Sequence, residues 1–181
     1  MRISRLCLPA AAALALLILP GAVHAEAPAD RQLSVTISPL HLAFPAIEVT
    51  GEYSLHPKFA PAIILGVGKV DEVNVVEIGA QGQTYLVGDF DHGMQLGVEA
   101  LYVHASADDV DSSSVSATAQ GLAIGPYVGY KFIADVGFTF NAQLGVQYVT
   151  ARGEAESDTE SASASDSNIV PLLNLNIGWS F

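Results

Sequence analysis

The feature that most limits what this chain can become is a period-two alternation of apolar and polar residues. It runs, with a few interruptions, from about residue 33 to the last residue. In a strand, successive side chains point to opposite faces, whereas a helix repeats every 3.6 residues, so this pattern specifies strands with two unlike faces. The end of the chain is clearest. Leu173, Leu175, Ile177, Trp179 and Phe181 share one face, and Asn174, Asn176, Gly178 and Ser180 share the other. One segment earlier, Phe138, Phe140, Ala142, Leu144, Val146 and Tyr148 alternate with Gly137, Thr139, Asn141, Gln143, Gly145 and Gln147.

The same reading gives strands around Leu33 to Ile37, Glu48 to Leu55, Leu96 to Tyr102 and Gly121 to Phe132. Pro126 interrupts the last of these, where a bulge or local break is expected. Two segments read less cleanly. Ile63, Leu65 and Val67 share a face, but Ile64 lies with Gly66 and Gly68. From Glu77 to Phe90, Tyr85 and Val87 break the parity set by Ile78 and Ala80. The total is eight strands. Short turns are expected at His56-Pro57-Lys58, at Asp91-His92-Gly93 and around Ala134-Asp135. Longer loops are expected near Lys69 to Val76, Ala105 to Thr118 and Thr150 to Asn168, with a short link at Phe44-Pro45. Short connections on one side and long ones on the other suit an up-and-down barrel with both chain ends on the short side.

Closure alone does not separate a soluble eight-stranded barrel from a membrane one. The faces do. The large apolar side chains alternate here with Gly, Ser, Thr, Asn and Gln, and eight strands leave an interior just wide enough for side chains. The small and amide residues therefore fill the inside and the large ones face lipid. Tyr53, Tyr102, Tyr130, Phe132, Trp179 and Phe181 fall near strand ends, where aromatic girdles sit. The expected fold class is all-β, an eight-stranded antiparallel up-and-down transmembrane β-barrel.

Residues 1–25 read as a signal peptide, with Arg2 and Arg5 before an apolar stretch from Leu6 to Leu19 and small residues Val23 and Ala25 at the cleavage point. Residues 26–181 are then the outer-membrane β-barrel domain. Cys7, the sole cysteine, lies in the signal, so no disulfide supports the fold. Removing Arg2 and Arg5 from the seven basic residues leaves five against nineteen acidic ones, a net −14. A chain so acidic lacks the basic footprint that nucleic acid requires.

The terminal run of apolar residues ending in Phe181 resembles the C-terminal signal of outer-membrane barrel proteins. That resemblance implies a barrel-assembly signal at Leu173, Leu175, Ile177, Trp179 and Phe181, read by the barrel-assembly machinery. The chain from about residue 31 to 181 is similar in pattern to small barrels of the OmpA/OmpX type. It departs from the first in having no periplasmic domain after the barrel. It is expected to differ from the second in lacking long, strand-extending hairpins. The partners implied are outer-membrane lipid and lipopolysaccharide, with the barrel itself a monomer.

Inward-facing Glu48, Glu52, Glu99, Lys131, Asn141 and Gln143 are expected to form a polar network in the lumen. Buried charges must be paired, solvated or neutralised. Such a network plugs the barrel, or lines a narrow, cation-preferring path. The sequence does not say which glutamate meets Lys131. Some barrels of this size modify lipid A acyl chains, which takes a nucleophile, a His base and an orienting group. His56 and His92 fall in turns. His41, on the first strand, and His104, beside Ala105-Ser106, have no distinctive spacing to a Ser and a Glu. No catalytic residue, cofactor or metal ligand is therefore assigned. The acidic runs Asp108-Asp109-Val110-Asp111 and Glu154 to Asp166 lack the glycine spacing of an EF-hand and read as solvated loops. The leading expectation is a non-enzymatic outer-membrane barrel, structural or a narrow pore. The alternatives are a lipid A acyl enzyme on the same barrel and a soluble periplasmic barrel that binds an apolar ligand.

Overall fold

In a computed structural model the described residues are 31–43, 45–70, 73–107, 116–156 and 161–181. The signal segment and the acidic run at 108–111 lie outside them. Eight strands and one short helix follow in order: β1 (Leu33–Ile37), α1 (Pro39–Leu42), β2 (Ala46–Tyr53), β3 (Phe59–Val70), β4 (Val73–Gly88), β5 (His92–Ala107), β6 (Ser116–Ile133), β7 (Phe138–Glu156) and β8 (Ser161–Ser180). Each strand pairs antiparallel with the next, and β8 pairs with β1, so the sheet closes into a barrel in sequence order. Among the described residues no helix is long and apolar enough to cross a membrane, a finding that says nothing about strands.

The faces are as the alternation requires. Ser34, Thr36, Glu48, Thr50, Glu52, Gln81, Gln83, Gln95 and Glu99 are buried, while their neighbours Val35, Ile37, Val49, Leu96 and Val98 are exposed. Gln143 and Asn141 point inward between exposed Phe140 and Leu144.

All three short turns are present. His56 and Phe59 exchange two backbone hydrogen bonds around Pro57-Lys58. Ala134 N donates to Phe138 O at 2.8 Å, and Gly137 closes that turn at a φ of 93°, a conformation glycine adopts without a Cβ penalty. The middle turn lies slightly earlier than expected. Asp89 N donates to His92 O, and His92 and Gly93 already belong to β5.

The expected loops at the other end are largely strand. Lys69 pairs with Asn74, and Val70 with Val73. The pairing of β7 with β8 continues from Phe138↔Trp179 to Glu156↔Ser161, so a strand-extending hairpin does exist, contrary to expectation. Ser and Ala there alternate well enough to continue a ladder, although charge and serine content read as loop. His41 lies on α1, not on the first strand, because Pro39 breaks the ladder and fixes the φ of a helical first turn.

A bulge resolves the ambiguous segment from Glu77 to Phe90, and a local break falls at Pro126, where one was expected. Tyr85 pairs with Gln95 but Val87 pairs with Met94, so Leu86 is the extra residue of a bulge. Tyr85 therefore faces in, while Leu86 and Val87 both face out. At Pro126, pairing with β7 skips Gly125 and Pro126 and resumes in the same register at Tyr127↔Gly145.

Strand length rises around the ring, from five residues in β1 to twenty in β8. The wall is low at β1 and β2 and tall at β6 to β8. At the low side α1 lies against β2 and β8.

Candidate functional site

Large inward side chains reach across the lumen because glycines beside them vacate the space. Gly97 pairs with Tyr127, and a Cβ at Gly97 would lie 2.4 Å from the tyrosine Cζ. Gly129 stands between Gln95 and Gln143 in one cross-strand row and plays the same part for those two amides.

The lower lumen is one charge-centred cluster. Lys131, fully buried on β6, donates to Glu52 Oε2 of β2 at 2.7 Å. This answers the question the sequence left open. Tyr85 donates to the other oxygen, Oε1, at 2.6 Å. The Lys131 ammonium also lies 3.4 Å from the centroid of the Phe90 ring. Phe90 packs with Ala60, Tyr85 and Ile133 as an apolar floor near the short turns.

Above this, amides link the walls. Gln95 donates to the Tyr85 hydroxyl, and Gln143 donates to Gln95 Oε1 at 3.3 Å. Gln81 donates to Gln143 Oε1 and, at 2.6 Å, to Glu99 Oε2. Glu99 also accepts from Gln147 at 2.5 Å and from Asn174 at 2.8 Å. Its charge is thus held by three neutral donors. Tyr127 donates to Gln83 Oε1 at 2.8 Å. Five of the six expected lumen residues are charged or hydrogen-bonded members of this interior or lie just above it. Asn141 is the exception: it is buried, but its Oδ1 has no partner among the described residues. The network's Tyr85, Gln81, Gln95, Gln147 and Asn174 were not expected. Parity marked the inward face for Gln95, Gln147 and Asn174, whereas Gln81 and Tyr85 lie in the segment of ambiguous parity, and nothing in the sequence ranked any of them above other inward residues.

A second cluster stands higher, under the low wall. Glu48 and Glu77 occupy one cross-strand row, with Gly66 between them. A Cβ at Gly66 would come within 2.6 Å of Glu77 Oε2, so the glycine leaves the volume in which the two carboxylates converge. From α1, His41 Nε2 reaches to 3.5 Å from Glu48 Oε2 and 3.7 Å from Glu77 Oε2. His41 Nδ1 lies 2.9 Å from Ser38 Oγ. The ligand atoms of His41, Glu48 and Glu77 all fall within 4.8 Å of one another. Ser38 is 2% exposed, and it faces Nδ1 while the carboxylates face Nε2.

The five assembly-signal residues lie on β8 or at its end. Trp179 and Phe181 are exposed at the short-turn end, and Leu173 is exposed further along the strand. Trp179 stacks edge-on to Phe138, with ring centroids 5.9 Å apart. His104 is half-buried on β5 opposite Val76 and Gln120. A recess of about 510 Å³ at the tall rim is lined by Tyr102, Gln120, Thr150, Arg152 and Asp166 among others, without converging buried polar groups. No protein-family model, no curated protein and no solved structure matches the chain.

Proposed function

We propose that the protein is a non-enzymatic integral outer-membrane barrel, akin in architecture to small barrels of the OmpA/OmpX type. It serves as a structural, surface-exposed component of the envelope. The observation that carries this reading is the inversion of its faces. Among the described residues the buried set holds nine apolar and seventeen polar residues, whereas thirty-four large apolar residues are exposed. Water would penalise that arrangement and lipid favours it.

The height of the apolar band agrees. On β7 the outward residues are apolar from Phe138 to Tyr148. Ten steps of about 3.3 Å at a tilt of about 40° give roughly 25 Å along the axis, the height of a lipid-facing band. Beyond the band the outward row turns polar: His104, Gln120, Arg152 and Ser165 are successive cross-strand partners. At the other end Tyr53, Phe59, Phe132, Phe138, Trp179 and Phe181 are exposed near the short turns.

The interior favours a plug over a pore, since the amides and Glu99 bridge opposite walls at mid-height. An acyl-transfer reading gains little from Ser38 and His41, because the hydroxyl is buried and turned from the lipid-facing wall. The test combines fractionation with a heat-modifiability gel. The expected result is a protein in the outer-membrane fraction that resists SDS until boiled and then changes mobility. Release by carbonate without detergent, and no mobility change, would reject the membrane reading in favour of a soluble barrel.

A further inference from the structure

Among the described residues four glutamates face the lumen, and two of them have their charge met. Glu52 has Lys131 and Tyr85, and Glu99 has three amide donors. Glu48 and Glu77 have neither. Glu48 is 5% exposed, yet among the described residues its carboxylate accepts no hydrogen bond and meets no Lys or Arg. Two carboxylates bent toward one point over a glycine must be met there by a cation or share a proton.

We propose that His41, Glu48 and Glu77 form a binding site for a divalent transition metal, with Zn²⁺ the best fit. The donor set is one imidazole nitrogen and two carboxylate oxygens. Imidazole suits zinc and its neighbours, whereas calcium and magnesium take oxygen ligands. The spacing agrees as well. Ligands about 2.1 Å from a tetrahedral zinc lie roughly 3.4 Å from one another. The observed nitrogen-to-oxygen distances are 3.5 and 3.7 Å.

The surroundings are those a ligating histidine needs. A proton on Nδ1 donated to Ser38 Oγ leaves the Nε2 lone pair facing the carboxylates, and it holds the ring in that orientation. Ser38 is therefore a positioning residue. The fourth coordination position is left for water or a further ligand. His41 is about a third exposed on α1 at the low wall, which gives an ion a way in from the rim.

The test is calorimetric titration of the purified, folded protein with Zn²⁺ alone, with Mg²⁺ as control. The expected result is saturable Zn²⁺ binding with one equivalent assigned to this site and no comparable response to Mg²⁺. His41→Ala and Glu48→Gln should each weaken that equivalent by about tenfold or more. Ser38→Ala should weaken it by about 10–100-fold, as loss of an orienting partner does. A Zn²⁺ isotherm unchanged in His41→Ala would place the ion elsewhere, for instance on the acidic runs, and overturn the proposal. No Zn²⁺ binding by the unmodified protein would overturn it too. Should the variants fail to give the compact band before boiling, Co²⁺ added to the unmodified protein keeps the question open to decision. A visible absorption of tetrahedral Co²⁺ that Zn²⁺ abolishes supports the site, and its absence rejects it.

Discussion

At the scale of single residues, the interior depends on pairing charges that sequence neighbours do not supply. Lys131 and Glu52 lie on strands that are not adjacent and meet only across the lumen. Lys131→Met should cost about 3–5 kcal/mol, because it leaves Glu52 buried without its cation. Adding Glu52→Gln to that variant should recover most of the loss. Unfolding midpoints in denaturant for the two single variants and the double variant check this, and additive losses would contradict it. Tyr85→Phe removes a hydrogen bond to a charged oxygen and should cost about 1.5–3 kcal/mol by the same measurement. Asp91 sits in the turn before β5, where burial raises its carboxyl above the ordinary aspartate range against the opposing pull of Arg31. The folded state then holds this proton more tightly than the unfolded state does. This group's contribution to stability is full below the unfolded value and falls as pH rises through the folded one. Asp91→Asn should flatten stability across that window just above the ordinary aspartate range, as followed by melting temperature against pH. An unchanged pH profile would contradict the assignment.

At the scale of elements, the barrel is least secure where it closes. β8 meets β1 through four register pairs, Ser34 to Ile37 with Ser180 to Ile177, whereas its pairing with β7 runs over nineteen. Short ladders with few neighbours open first. Amides of β1 should therefore exchange with solvent faster than those of Thr139 to Gln147 in β7, as measured by native-state hydrogen exchange. Equal protection in both would mean that α1 and the chain end brace the seam more strongly than its length suggests. The period-two pattern established which segments are strands and, except from Glu77 to Phe90, which face of each is buried. It did not establish where strands stop above the apolar band. Ser161 to Asn168 carries no large apolar residue on either face, so little contrast between faces marks it as strand, yet register from β7 carries the ladder through it.

At the scale of the whole molecule, substitutions on the outer wall distinguish lipid from water. Leu144 is exposed in the middle of the apolar band. If the wall faces lipid, Leu144→Arg should cost about 2–4 kcal/mol in a bilayer, and Ser165→Arg, above the band, about 0–1 kcal/mol. On a soluble barrel both would stay within about 0.5 kcal/mol. Reversible unfolding from lipid vesicles measures the difference. The sequence by itself determined the all-β up-and-down class of fold, the number of strands and the sign of every face but that of β4, because alternation is a local property that each strand carries independently. It also placed Glu48, Glu52, Glu99, Lys131, Asn141 and Gln143 inside. Only the tertiary structure decided which of these meet. Closure brings β2 opposite β6, the register sets Gly66 between Glu48 and Glu77, and the break at Pro39 turns His41 over the lumen. Those contacts depend on register and curvature summed around the ring, and no window of the sequence contains that sum.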